Sequence, residues 1–418
     1  MSDELGRPEL RGLREDVSVP VLPDTGRIVE TAPVKEPQTP GEWIRLNLFS
    51  GPFNSLLTIV AGAFLIFAIY QAFGFVFLNS EWRVIQVRMK AFMVGPFPLD
   101  EMWRVWLSLY LVTALGGFSS GAAVRFPRGR SLMVKSVAVA VAVVIVAYTA
   151  QSVLVRLLAA AVPALFVASN AIGRLVPPRT MRRIRLWGWV VIFPVVMFVV
   201  RGFDGVPPRE WGGLYFNLIA ASVGIFASFP IGIALALGRR STLPAVRGFS
   251  VVVIEVFRGV PLVAWLFFSK FVVDLLLPPQ MNLPDIIKAF IVMTMFSAAY
   301  VAEIIRGGIQ GVHPGQYEAA RALGLPTTRL MALIVLPQAL RATIPAMIGH
   351  FISLFKDTAL FAAINVTELL DASTRLGLEF IGQEAQTLVF AGLCFWAIAF
   401  TMSRWSQRLE LRLGVGER

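Results

Sequence analysis

Gly315-Gln316-Tyr317-Glu318-Ala319-Ala320-Arg321-Ala322-Leu323-Gly324-Leu325-Pro326-Thr327-Thr328-Arg329 is a polar passage in a chain that is otherwise strongly apolar. Its first residues favour helix, and Gly324 offers the left-handed conformation that ends one. Thr327 or Thr328 then supplies a side-chain cap for a second helix, predicted to run to Leu336, where Pro337 forces a break. Two short helices at a fixed angle make a stiff protrusion. Ala319 and Ala320 give it a surface that another backbone can approach closely, and Glu318 is placed either to cap the second helix or to pair with an arginine.

The surroundings of this passage are built for lipid. The 418 residues are 56% hydrophobic and 15% charged, with a mean hydropathy of +0.70, whereas soluble domains carry about 25% charged residues. Apolar runs near bilayer length occur at 56–78, 105–123, 132–152, 157–173, 186–201, 214–238, 249–277, 286–305, 335–355 and 386–404. The fold class is therefore all-α and polytopic, with about ten transmembrane helices. Arg156 and Pro163 interrupt 132–173, which reads either as a hairpin or as one span plus an interfacial piece.

The net charge of +12 does not point to nucleic acid, because the arginines cluster in short breaks between apolar runs. Arg125, Arg128 and Arg130, then Arg174, Arg179, Arg182, Arg183 and Arg185, then Arg239, Arg240 and Arg247, occupy alternate connections, which places those loops in the cytoplasm. The stretch 306–334 and the tail with Arg408, Arg412 and Arg418 follow on the same side, so both termini are expected inside. Residues 1–45 hold six prolines among mixed charges and are expected to form a flexible cytoplasmic tail. The connection 79–104, with Trp82, Phe92 and Trp103 beside Arg83, Arg88 and Lys90, reads as an outer segment lying along the interface.

Catalytic constellations are missing from the sequence. Its histidines are His313 and His350, its cysteine is Cys394, and no glycine loop precedes a lysine as in a phosphate-binding loop, so no metal and no ATP-hydrolysing site is expected on this chain. His313 with Pro314 suits a turn, and His350, in mid-span, suits a hydrogen bond to a neighbouring helix.

The order Glu318, Ala319, Ala320, Gly324, Ile334, Leu336, Pro337 resembles the EAA loop of bacterial ABC importer permeases. Flanking passages are similar to the polar amino acid branch of that family: Glu255-Val256-Phe257-Arg258-Gly259-Val260-Pro261-Leu262, Ala299 to Ile309, Leu336 to Arg341 and Lys356-Asp357-Thr358. The resemblance runs from about Trp211 to Arg404, departing at Ala359, where the branch usually has serine. Phe92 to Pro98 and Glu210 to Leu214 are similar to the larger permease of general L-amino acid importers, including those for glutamate, glutamine, aspartate and asparagine.

The resemblance implies a cytoplasmic tail at 1–45, an extension of extra spans at 46–205 and a five-helix type I importer core at 206–418, with the loop at 306–336. It implies a bacterial inner-membrane permease for polar L-amino acids. Its partners would be an ATPase dimer carrying ATP and Mg, a second, homologous permease in a heterodimer, and a periplasmic amino-acid-binding protein. In that family the loop is the helix that sits in a groove of the ATPase.

Charges in or near spans need protein or water around them, because each costs at least about 2.5 kcal/mol facing lipid at the bilayer centre. Glu255, Arg258, Lys270, Glu303, Arg306, Lys356 and Asp357 are such residues. Glu255 and Arg258 either line a path or, the favoured reading, pair with each other on one helix face. Glu303 and Arg306, beside Gly307 and Gly308, suit support of the loop. Lys356-Asp357-Thr358 is either an interfacial anchor or a substrate contact. Gly259 and Pro261 break their run, which makes either a packing kink or a substrate position. A transporter driven alone by an ion gradient, or a membrane scaffold, would tolerate these charges but gives no reason for the stiff polar protrusion.

Overall fold

The structure is a computed structural model that describes residues 39–78, 81–123, 152–278 and 283–413. Most of the expected tail and all but the last residue of the expected span 132–152 lie outside the described residues. Contacts divide the chain into two units, Met1–Asn79 and Ser80–Arg418.

In the first unit, α1 (Pro40–Leu48) occupies the end of the stretch expected to be loose tail. It forms because Thr39 and Glu42 make a reciprocal capping box and Pro40 opens the first turn, so local chemistry overrides the proline-rich context. Helix α2 (Pro52–Phe73) continues through a π-turn to Leu78, with no buried residue along it. A helix apolar on every face suits contact with lipid.

The second unit opens with α3 (Arg83–Val94), which buries Val84, Ile85, Phe92 and Val94 and leaves its charges outward, as an interfacial segment should. It is followed by α4 (Met102–Ala123), α5 (Val153–Leu175), α6 (Pro178–Arg201) and α7 (Gly213–Gly238). Next come α8 (Pro244–Gly259), α9 (Leu262–Phe267) and, past a π-turn at Phe268–Val272, α10 (Val273–Leu276). The remainder is α11 (Asp285–Gln310), α12 (Pro314–Ala322), α13 (Thr327–Leu330), α14 (Leu336–Asp357), α15 (Leu369–Glu379) and α16 (Glu384–Leu413).

Among the described residues the protein is helical, apart from one isolated bridge between Gly213 and Glu368. Among the described residues seven helices are long and apolar enough to cross a membrane, or eight if a bent pair counts as one span. That pair corresponds to the run expected as a single span at 249–277: α8 and the α9 to α10 segment meet at 104°. The cause is local. Val260 and Pro261 are extended, and Pro261 has no N–H with which to continue the helix.

Helix α11 is the centre of the unit and is buried along most of its length. Its neighbours approach through glycines. A Cβ at Gly232 of α7 would lie 2.6 Å from Val301 Cγ1, and one at Gly308 of α11 would lie 2.4 Å from Thr343 Cγ2 of α14. Close backbone approach of this kind holds helices together where lipid removes the hydrophobic drive. The segment before residue 205 joins the same unit: buried Arg104 of α4 donates to the carbonyls of Val199 and Gly202 at 2.7 and 3.1 Å.

Candidate functional site

The polar passage folds as a capped helix with one open face. His313 Nδ1 accepts the Gly315 N–H at 3.1 Å at the start of α12, and Pro314 opens the first turn. At its end the Leu325 N–H reaches the Ala320 carbonyl at 3.1 Å and the Gly324 N–H reaches that of Arg321 at 2.9 Å. These two bonds define a Schellman cap, with Gly324 at φ +72° in the left-handed region. Ala320 is buried in the same apolar cluster as Ile309, Leu330, Val335 and Ala339, and the Tyr317 hydroxyl donates to the Ile309 carbonyl at 3.2 Å. Outward lie Glu318, Ala319, Ala322 and Leu323, the last 79% exposed.

Three local expectations change. Pro326 is the N-cap of α13 and no side chain caps it, so neither threonine has that role. Among the described residues Glu318 neither caps a helix nor pairs with an arginine, and its exposed carboxylate has no hydrogen-bond partner. Nor does Pro337 break the second helix. A π-turn at Met331–Val335 leads directly into α14, where Leu336 and Pro337 fall in the first turn and the missing N–H is tolerated. Ile334 and Leu336 are half-buried there, and Pro337 is exposed.

Glu255, Arg258, Glu303 and Arg306 join Arg239 in one cluster across three helices. Glu255 and Arg258 do not bond each other: Glu255 accepts from Arg239 at 2.9 Å, and Arg258 lies 3.4 Å from Glu303. Glu303 also receives Arg239 and Arg306, each at 2.9 Å. The reason is reach: Arg239, at the end of α7, extends between α8 and α11 and meets both carboxylates. Lys270 instead donates to the Ile364 carbonyl at 2.6 Å. His350 Nε2 lies 2.9 Å from Ser297 Oγ, which donates to Ser228 at 3.0 Å, the bond to a neighbouring helix that its mid-span position suggested.

At the other end of α14, Thr358 is fully buried, Lys356 is exposed and Asp357 is half-buried. Thr358 Oγ1 accepts from Asn217 Nδ2 at 2.9 Å and donates to the Phe355 carbonyl at 2.6 Å. Asn217 also donates to Glu368 Oε2 at 2.9 Å and accepts the Leu369 N–H at 3.1 Å, while Glu368 Oε1 accepts the Asp371 N–H at 2.8 Å. Burial pushes the Glu368 carboxyl above its ordinary value, against the pull of the Leu370, Asn217 and Asp371 donors. Asn217 and Glu368 were not singled out by sequence reading, although an asparagine inside an apolar run was the available signal. Among the described residues no group of three or more His, Cys, Asp or Glu side chains is placed to hold a metal.

Residues 228–415 match the family described as binding-protein-dependent transport system inner membrane component. The chain is 33% identical over 396 residues, 90% of its length and 93% of the relative's, to the inner membrane amino-acid ABC transporter permease protein YhdY of Escherichia coli K12. It is 32% identical, over 89% of its own length and 93% of the relative's, to the glutamate/glutamine/aspartate/asparagine transport system permease protein BztC of Rhodobacter capsulatus. A crystal structure of an amino acid ABC transporter with histidines shares 28% identity, covering 47% of this chain and 90% of that one, at a TM-score of 0.43.

The class is therefore a multi-pass inner-membrane permease, a transport subunit and not an enzyme. The chain belongs to the amino-acid ABC transporter permeases, within the family of binding-protein-dependent transport system inner membrane components.

Proposed function

We propose that the chain is the larger permease of an ATP-driven importer of polar L-amino acids and that α12 is where separate ATPase subunits grip it. The observation that carries this reading is the Schellman-capped helix whose Ala319, Ala322 and Leu323 face is open while Ala320 anchors it to the transmembrane core. Force on that face passes through Ala320 and Tyr317 to α11 and through the π-turn to α14, both of which pack in the core. ATP and Mg reside on the ATPase partner. An amino-acid-binding protein outside delivers substrate, and alternating access moves the helices from residue 206 onward.

The matching permease segment begins at residue 228, which supports a core from 206 to 418 preceded by extra spans. We take those spans to mean that the partner permease is a different, smaller chain. Both termini lie in the cytoplasm, by the arginine distribution. Coexpression with candidate ATPase subunits, followed by purification and uptake assays in liposomes, tests the reading. A stable complex that takes up polar amino acids only with internal ATP is expected. Uptake by this chain alone, driven by an ion gradient, would overturn it.

A further inference from the structure

The break between α8 and α9 carries two donors with nothing to donate to. The Nε–H of Arg258 and the Nε1–H of Trp265 are buried and have no hydrogen-bond partner among the described residues, one on each side of Gly259 and Pro261. Buried donors of this kind cost free energy unless something accepts from them, so they mark a place where an acceptor is missing.

Their setting specifies that acceptor. The Arg258 guanidinium lies 5.6 Å from the centre of the Tyr300 ring, and Trp265 stacks on Phe257 at 4.5 Å. Phe257, Trp265 and Tyr300 all pack on the same apolar cluster, and Tyr300 stacks on His350 at 5.5 Å. A Cβ at Gly259 would meet nothing within 4 Å, so the backbone at the break has room beside it. In the surrounding network Arg239, Arg258 and Arg306 face Glu255 and Glu303, three positive charges against two negative, so one positive charge is left over.

Two N–H donors without acceptors, a surplus positive charge and aromatic neighbours suit a small oxygen anion. We propose that Arg258 and Trp265 form a subsite for the α-carboxylate of the transported amino acid. The inference rests on the importer reading above and deepens it. The carboxylate accepts from Arg258 Nε and Trp265 Nε1 and balances the extra arginine while the side chain of the substrate lies against the rings. A group common to all amino acids is thereby held at the bend, where an unwound helix lets a ligand approach.

The test uses the complete complex in liposomes with internal ATP and isotope-labelled L-glutamine outside, delivered by its binding protein. Trp265→Phe keeps the ring and its stack on Phe257 but removes the donor; Arg258→Lys keeps the charge but removes Nε. Each is expected to lower uptake at least about tenfold, the loss of one hydrogen bond to a charged group. Uptake at the parental rate in both variants overturns the subsite and leaves the importer reading standing. A parent complex with no ATP-dependent uptake overturns the importer reading itself. In case a variant assembles poorly, the parent complex supplies a second measurement. L-Glutamine is expected to raise its thermal unfolding midpoint, and L-glutamine converted to its α-amide is not; equal protection by the two overturns the subsite.

Discussion

At the scale of single residues, Gly324 and Glu368 carry the sharpest consequences. Gly324 is at φ +72° with no neighbour near a Cβ, so a substitution there acts through the backbone rather than through a clash. Gly324→Val costs about 1–2 kcal/mol in a conformation that β-branched residues resist. Insertion and assembly are expected to persist, with ATP hydrolysis continuing and uptake falling at least about tenfold; parental uptake would contradict the role of the cap. Glu368 gives a pH signature. Its folded pKa lies above the ordinary 4.5, so it binds a proton more tightly folded than unfolded. Its contribution to stability is full below 4.5 and is lost as pH rises through the raised value. Thermal midpoints measured upward from pH 4.5 should therefore fall more steeply for the parent than for Glu368→Gln; parallel curves would refute this. Gly324 was legible from its place after an alanine-rich helix. Glu368 was not, because its hydrogen-bond partner Asn217 lies 151 residues away in the sequence.

At the scale of elements, apolar length was enough to locate most helices, since bilayer thickness sets it. Local rules placed the end of α12 but misplaced the cap of α13 and the break at Pro337. A proline in the first turn is harmless, and which residue begins that turn was decided by a π-turn that no sequence period announces. The pairing of Glu255 with Arg258 failed likewise, because spacing along one helix gives no information about Arg239 arriving from another. Helix packing makes its own prediction through two glycines. Gly232→Ala drives a Cβ to 2.6 Å from Val301 Cγ1 and is expected to destabilise by about 1–3 kcal/mol. Gly349→Ala, with open space around its Cβ, is expected to be neutral or to stabilise by up to about 1 kcal/mol. Thermal unfolding of the two variants side by side checks the order, and a reversed order would contradict the packing of α7 on α11.

At the scale of the whole molecule, topology is the consequence that composition alone could supply. We propose from the arginine distribution that α12 faces the cytoplasm and the loop after α15 the outside. Leu323→Cys and Ile381→Cys, both highly exposed, should react with a membrane-impermeant thiol reagent from opposite sides in intact cells and inverted vesicles. Labelling of both from one side would contradict the assignment. Composition gives no account of what drives transport; the proposal that separate ATPase subunits do so rests on one short polar helix and its partners in the fold. The most direct measurement places a photoreactive maleimide on Ala319→Cys in a Cys394→Ser background, within membranes that import amino acids actively. A covalent adduct between this chain and an ATP-hydrolysing subunit is the expected result, and active membranes in which position 319 reaches no such subunit would contradict it.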